Sequence, residues 1–499
     1  MTDQPNILFI MSDQHAPRVT GCYGDEIVRT PNLDKLAAKG TTFDNAYTPS
    51  PLCVPARMSF LTGKYPSSQN CWTNSDSLAS DFPTTAHSLG AAGYKPKLVG
   101  RLHSIGPDQM HGYEERIVGD HSTNWIGGFA HTMGVLTKTN GPFRVSLEAS
   151  GGGQSSYELH DRDVTQAALE QLDKIAKTQN KGDATPFSLN VGYLLPHQPY
   201  VADPELVDYY LDRIKAPKHP KTKVENEHPY LQWWRKCTGI DEDIPQEQID
   251  RSRAAYYALT EIFDGMVGEV LDRLDENGLA ANTIIIYTSD HGDQLGERGL
   301  WWKQTFYDDS AKVPLIISRP GVVPEGERRS QIVNLIDLSQ TLLQAVGAPQ
   351  LPGADGQSFW DVVLNSKSPW KDETFSEYCI DGMAPWASGV TSQQRMIRSG
   401  KWKLIYYSGH RPQLFDLELD PDEINDLAED TGHVEIVQRL TSRILENWDP
   451  DLIGKIMADR RKNKEVLSQW SRAIKPPESH LWELKMEDNW LSETPPAPD

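Results

Sequence analysis

Long apolar runs are missing from this chain of 499 residues. The first, Ile7–Met11, is broken at once by Ser12 and Asp13. That is too short for a signal-peptide core, and no run approaches the roughly 18 residues that a bilayer span needs. The reading is of a cytoplasmic protein with no membrane partner. Cysteine is scarce and scattered, at Cys22, Cys53, Cys71, Cys237 and Cys379. An odd number with no CxxC pair argues against a disulfide framework and against a structural zinc site. Positive charge is in deficit: 49 Lys and Arg face 70 Asp and Glu, a net charge of −21. Nucleic acid is therefore a poor partner, because it needs a surplus of cations. If the protein handles an anion, its positive groups must be gathered locally.

Material for a large core is present, with 38% hydrophobic residues against 24% charged. Strand-like and helix-like segments alternate through the first 350 residues. Asn6–Met11, Lys95–Val99, Phe187–Val191, Thr283–Thr288 and Pro314–Ser318 read as strands. Thr30-Pro31 opens a short helix that ends at Gly40. In residues 247–277, Ala255, Leu259, Ile262, Met266, Val270 and Leu274 recur at helical spacing before Gly278. Such alternation predicts an α/β domain with a large, mostly parallel sheet flanked by helices. Its span is placed at residues 1–370. Beyond it, 401–407 and 413–419 read as neighbouring strands closed by a helix at 433–447, a smaller C-terminal α+β subdomain placed at 371–449. Residues 450–499 hold Trp470, Trp482 and Trp490. That is too apolar for a free tail, so the segment is expected to pack on the body or on a second subunit.

Two strand ends carry chemistry. Asn6–Met11 runs into Ser12-Asp13-Gln14-His15, and Thr283–Thr288 runs into Ser289-Asp290-His291-Gly292. Ligands in open parallel sheets bind outside the carboxyl ends of the strands. Asp13, Gln14 and Asp290 offer oxygen and His291 offers nitrogen, a set suited to Ca²⁺, Mg²⁺ or Mn²⁺. Taken singly, either Asp could equally cap the turn after its strand. The third feature is Cys53-Val54-Pro55-Ala56-Arg57, which places Cys53 at a helix N-terminus, where an anion is favoured. Taken alone, Cys53 also reads as a buried packing residue.

Together these features resemble the type I sulfatase family of the alkaline phosphatase superfamily. Gly100-Arg101-Leu102-His103, Pro196-His197-Gln198-Pro199-Tyr200 and Gly299-Leu300-Trp301-Trp302-Lys303 match as well, so the resemblance covers most of the chain. It implies an alkaline phosphatase-like fold and hydrolysis of sulfate monoesters. It also implies that a maturation enzyme oxidises Cys53 to formylglycine, whose hydrate attacks sulfur and then expels sulfate. Asp13, Gln14, Asp290, His291 and the modified Cys53 would hold one divalent metal ion, Ca²⁺ or Mn²⁺. Arg57 would hold the hydrate, and His103 would be the base that collapses it. His197 and Lys303 would bind the sulfuryl oxygens and help the alcohol leave. Arg101 stands where the family usually has Lys, which keeps the charge but changes its shape.

The metal set also departs from the family's usual three Asp and one Asn. That variant pattern resembles the choline sulfatases and phosphonate monoester hydrolases, so promiscuity toward other monoanionic esters is expected. A phosphonate monoester or phosphodiester hydrolase is the alternative reading. The expected partners are a small anionic ester, the maturation enzyme and further copies of the chain, as a dimer or tetramer. Trp125 is read as a core tryptophan or a wall of the leaving-group pocket. Glu377 is read as a solvated strand residue or a counter-charge. His15 and His111 are read as hydrogen-bonded loop residues.

Overall fold

A computed structural model describes residues 4–128, 132–182, 185–221 and 227–492. Its strands are β1 (Asn6–Asp13), β2 (Thr41–Tyr47), β3 (Lys95–Gly100), β4 (Glu115–Ile117), β5 (Gly151–Gln154), β6 (Phe187–Pro196), β7 (Val201–Ala202), β8 (Thr283–Ser289), β9 (Leu315–Ser318), β10 (Glu327–Asn334), β11 (Glu373–Asp381), β12 (Thr391–Ser399), β13 (Trp402–Tyr407), β14 (Gln413–Asp416) and β15 (Trp490–Leu491). Eight of them form one sheet in the order β10-β2-β9-β8-β1-β6-β3-β4. Only β9 runs against its neighbours, β2 and β8. The expected large, mostly parallel sheet is thus present.

β1 lies near the middle of this sheet and is buried along its whole length. Its alternation supplies both faces. Ile7, Phe9 and Met11 join the core shared with helices Cys53–Thr62 and Leu335–Ala345. Leu8 and Ile10 join the core shared with helices Ser156–Gln179 and Gln246–Glu276. The last of these is the helix predicted over 247–277.

β11 to β14 form a separate four-stranded antiparallel sheet. Helix Val434–Leu445 covers it through Leu440 and Ile444. Two expectations change here. The strand predicted over 413–419 stops at Asp416, and Leu419 is 82% exposed. Glu377 is buried rather than solvated, because it shares a face of β11 with the buried Phe375 and Cys379. Its carboxylate accepts from the Ser67 amide at 2.9 Å and hydroxyl at 2.8 Å.

The described part of the last segment, 450–492, packs on its own chain. Asp449 caps helix Pro450–Ile474 by accepting from the Asp451 and Leu452 amides. Ile453 and Met457 of that helix enter the core of the four-stranded sheet. Farther on, Trp482 donates its indole N–H to Asp163 at 2.9 Å, and β15 pairs with β5. Residues 493–499 lie outside the described residues.

Candidate active site

Sheet order alone assembles the site. β8, β1, β6 and β3 are consecutive parallel neighbours, with Ser12 level with Ser289 and Gly100 level with Gly192. Their carboxyl ends therefore deliver Asp290 and His291, then Asp13 and Gln14, then His197, then Arg101 and His103 to one edge. β2 runs in the same sense, and the chain beyond it leads into helix Cys53–Thr62, all ten residues of which are buried. Lys303 arrives on the long connection after β8. Gln14 and His103 both hold left-handed backbone, with φ of 64° and 57°. For residues other than glycine such strain concentrates at functional positions.

Cys53 Sγ lies 3.2 Å from His291 Nε2, 3.6 Å from Asp13 Oδ1 and 3.1 Å from Lys303 Nζ. Burial, and then the Asp13 carboxylate, push the Cys53 thiol up to about 11. A group so placed is a thiol and not a thiolate at neutral pH.

Asp13 is fully buried, and its two oxygens differ. Oδ2 accepts from Arg101 Nε at 2.6 Å and from Arg57 at 3.2 Å. Among the described residues, Oδ1 has no donor nearer than the Cys53 thiol at 3.6 Å; Lys303 stands 4.0 Å away. Burial works to raise this carboxyl, but Arg101, with Arg57 and Lys303, holds it well below the usual carboxylate range. Asp290 Oδ2 accepts from Arg57 Nε at 2.8 Å, while its Oδ1 accepts from the Gln14 and His291 amides.

The imidazoles are oriented by their second nitrogens. His291 Nδ1 donates to the Gly292 carbonyl at 3.1 Å, which leaves the Nε2 lone pair facing Cys53 and both carboxylates. His197 Nδ1 donates to the Gln198 carbonyl, and its Nε2 accepts from Lys303 at 2.8 Å. Burial, and then Lys303, hold His197 well below its ordinary value. Lys303 places its remaining donors on Gln14 Oε1 at 2.7 Å and on Cys53. His103 Nδ1 accepts from Arg101 NH2 at 2.7 Å, so the neutral ring carries its proton on Nε2. Burial, and then Arg101, keep that ring neutral.

All ten residues singled out from the sequence thus converge on one edge, although they come from six separate stretches of chain. Three supporting groups were not singled out. Asp120, just past β4, accepts from Arg101 NH1 at 3.1 Å and from the His103 amide at 2.8 Å. Asp293 and Gln198 accept from Gln14 Nε2, each at 2.6 Å. Because both N–H bonds of the Gln14 amide are used there, its Oε1 is turned toward Lys303 and the cluster. Gln198 lay within the Pro196–Tyr200 motif that carried the resemblance and Asp293 directly follows the Ser289–Gly292 strand end, whereas Asp120 had only its place after a short strand.

Trp125 is half-buried rather than a core residue. Its N–H donates to the Pro477 carbonyl, and its ring meets Trp470 edge-on. His15 and His111 are hydrogen-bonded loop residues, as expected.

The donor chemistry fits a divalent cation. Asp13, Cys53, Asp290 and His291 offer ligand atoms that all lie within 4.8 Å of one another, and all four residues are buried. A buried carboxylate oxygen with no strong donor is costly, and a cation resolves that cost.

The sulfatase family profile matches residues 5–348, and that of the N-sulphoglucosamine sulphohydrolase C-terminal region matches 296–449. A choline-sulfatase of Rhizobium meliloti (strain 1021) is 34% identical over 488 residues, spanning 93% of this chain and 91% of that protein. Arylsulfatase K of Homo sapiens is 28% identical over 522 residues, covering 98% of this chain and 90% of its own length. Among solved structures, the phosphonate monoester hydrolase of Silicibacter pomeroyi aligns with a TM-score of 0.73 at 25% identity, covering 89% of this chain and 94% of that one.

Proposed function

The chain belongs to the sulfatase family, and on that premise we propose that it hydrolyses sulfate monoesters with a formylglycine made from Cys53 beside one divalent metal ion. The observation that carries this reading is the position of Cys53, at a buried helix N-terminus between His291, Asp13 and Lys303. A maturation enzyme would supply the oxidation.

Asp13, Asp290, His291 and Gln14 would hold the ion, together with an oxygen of the modified residue. Oxygen ligands with one imidazole suit Ca²⁺ or Mn²⁺. When bound, such an ion lowers the pKa of a coordinated hydroxyl toward neutrality.

The chain's own residues do the rest. Arg57 bridges Asp13 and Asp290 and fixes both carboxylates. Arg57, Arg101 and Lys303 gather three cations in a protein of net charge −21, which is what an anionic ester requires. His197 presents a lone pair at Nε2 and has no proton to give there, so the proton for the leaving oxygen is assigned to Lys303. His103 is assigned the proton removal that releases sulfate. It can take that proton at Nδ1 only once Arg101 NH2 lets go.

The second reading, a phosphonate monoester or phosphodiester hydrolase, draws support from the likeness at TM-score 0.73. Both substrates are monoanions, so the same cluster would serve either. All five cysteines are free, which fits a reducing compartment such as the cytoplasm. Among the described residues, no helix is long and apolar enough to cross a membrane. Self-association as a dimer or tetramer is part of the reading, and Trp470 and Trp490, 40% and 43% exposed, are the surface it would cover.

The test is mass spectrometry of the peptide spanning Cys53, paired with kcat/KM on an aryl sulfate and an aryl phosphonate monoester. Aldehyde or hydrate in place of the thiol, with the sulfate preferred, is the expected result. Full activity with an intact thiol overturns the mechanism, and a higher kcat/KM on the phosphonate selects the second reading.

A further inference from the structure

Cleavage of a sulfate ester needs room for the departing alcohol beside the nucleophile. A cavity of about 350 Å³ begins at Leu52, the residue before Cys53, and at Asn74. The Asn74 Oδ1 accepts the Val54 amide at 3.0 Å, so this wall is bonded to the first turn of the nucleophile's own helix. The opposite walls are β11, the loop reaching Trp386, and helix Pro450–Ile474 through Ser468 and Arg472. A space of this size suits a small organic group.

The lining is mainly apolar, with Leu52, Ile126, Tyr378, Ile380 and Trp386 prominent. Two charged residues line it, Asp381 and Arg472. The Asp381 carboxylate is already committed. Its Oδ2 accepts from Lys464 Nζ at 2.8 Å and its Oδ1 from the Met383 amide at 3.0 Å. Lys464 is buried and also lies 2.8 Å from Asp76. Arg461, which donates to the Asp381 carbonyl at 3.2 Å, is itself paired with Glu465 at 3.1 Å and adds no net charge. Arg472 sits exposed at the rim with one long contact, to the Gly127 carbonyl at 3.4 Å, and with no acid in ion-pair range among the described residues. Aromatic walls by themselves would suit a cation. A paired acid and a free arginine reverse that preference.

We propose that this cavity is the leaving-group subsite of the sulfatase reading above, and that it selects esters of apolar alcohols that are neutral or negatively charged and rejects those bearing a quaternary ammonium. The inference rests on that reading and adds the charge class of the alcohol.

The experiment uses the full-length, metal-loaded protein shown by mass spectrometry to be matured at Cys53. Three phenyl sulfates are compared, with para acetyl, carboxylate and trimethylammonium groups, each kcat/KM being divided by the uncatalysed rate. The acetyl and carboxylate esters are expected to exceed the trimethylammonium ester by about fivefold or more, and Arg472→Glu to shrink that gap by about fivefold. Lys464→Met, which frees the Asp381 carboxylate, is expected to move the ratio the same way. The inference is overturned if the trimethylammonium ester is the best substrate of the unaltered protein, or if Arg472→Glu leaves all three ratios unchanged. If the matured protein hydrolyses none of the three, the sulfatase reading itself falls and the inference falls with it.

Discussion

Asp308 and Glu423 lie in a cluster of mostly buried charge, as do Asp13 and Asp290, but the two clusters treat their carboxylates differently. In the first, Lys403 is fully buried and donates to Asp308, to Glu423 and to the Phe306 carbonyl. The Asp308 amide donates to Glu423 Oε2 at 2.6 Å, Tyr47 donates to Asp308 Oδ1 at 3.0 Å, and Lys312 stands 3.1 Å from Asp308 Oδ2. Every carboxylate oxygen has a partner, and the cluster ties β13 of the small sheet to the connection that follows Lys303. In the second cluster, Asp13 Oδ1 has no donor nearer than a thiol at 3.6 Å among the described residues. A closed set of ion pairs holds parts together, whereas an open one is built to receive something.

The sharpest break between the clusters comes from Cys53→Ala. Sulfate ester hydrolysis is expected to fall by at least ~10⁴-fold, while unfolding free energy changes by only about 1 kcal/mol. Steady turnover by the alanine variant, measured on an aryl sulfate, contradicts the assignment of the nucleophile.

Lys403→Met tests the other side. Removing this cation strands Asp308 and Glu423, and a loss of about 3–5 kcal/mol is expected in denaturant unfolding. The metal affinity of the folded protein should be unchanged. If the single variant does not fold, the triple variant Lys403→Met/Asp308→Asn/Glu423→Gln should recover most of the stability, since no charge is then left alone. Wild-type stability in Lys403→Met would show that the closed cluster is not architectural.

The two clusters were not equally legible in the sequence: the open one was read from it and the closed one was not. Asp13 and Asp290 could be placed because each follows a strand with an apolar centre, and a parallel sheet aligns such ends. Lys403 carried only a fainter sign: strand alternation puts it on one face with Ile405 and Tyr407, an odd place for a solvated lysine. Asp120 follows β4, a strand of three residues with no recognisable pattern of its own. The role of Gln198 depends on the meeting of residues 14, 198 and 293 across the sheet edge, which no local spacing encodes. Glu377 was misjudged because a strand covered on both faces does not follow the polar-out rule that holds for a half-buried one.

Asp293→Asn probes how the open cluster is aimed. Its oxygens accept from the Leu295 and Trp302 amides as well as from Gln14 and Tyr200. An asparagine that keeps its oxygen on the two amides must turn its own N–H₂ toward the Gln14 N–H₂. The Gln14 amide then rotates, and its oxygen leaves the cluster. Metal affinity measured by chelator competition is expected to fall by about 10–100-fold. Unchanged affinity would mean that Gln14 takes no part in holding the ion.

The smallest expected effect is the most direct comparison, because the same atom is removed from each cluster. Tyr47→Phe deletes the hydroxyl on Asp308, and Tyr200→Phe deletes the hydroxyl that donates to Asp293 at 2.7 Å. Both tyrosines are fully buried. Each variant should lose about 1 kcal/mol of stability, since each leaves a buried carboxylate with its other donors intact. The functional readout should separate them. Among the described residues the Asp308 carboxylate bonds to none of the open cluster's side chains, so Tyr47→Phe should leave metal affinity where it was. Asp293 holds Gln14, and loosening one of its four donors should let that amide move, lowering metal affinity by a few-fold. Equal metal affinity in the two variants, at equal cost in stability, would erase the distinction between a closed cluster that supports the fold and an open one that receives an ion.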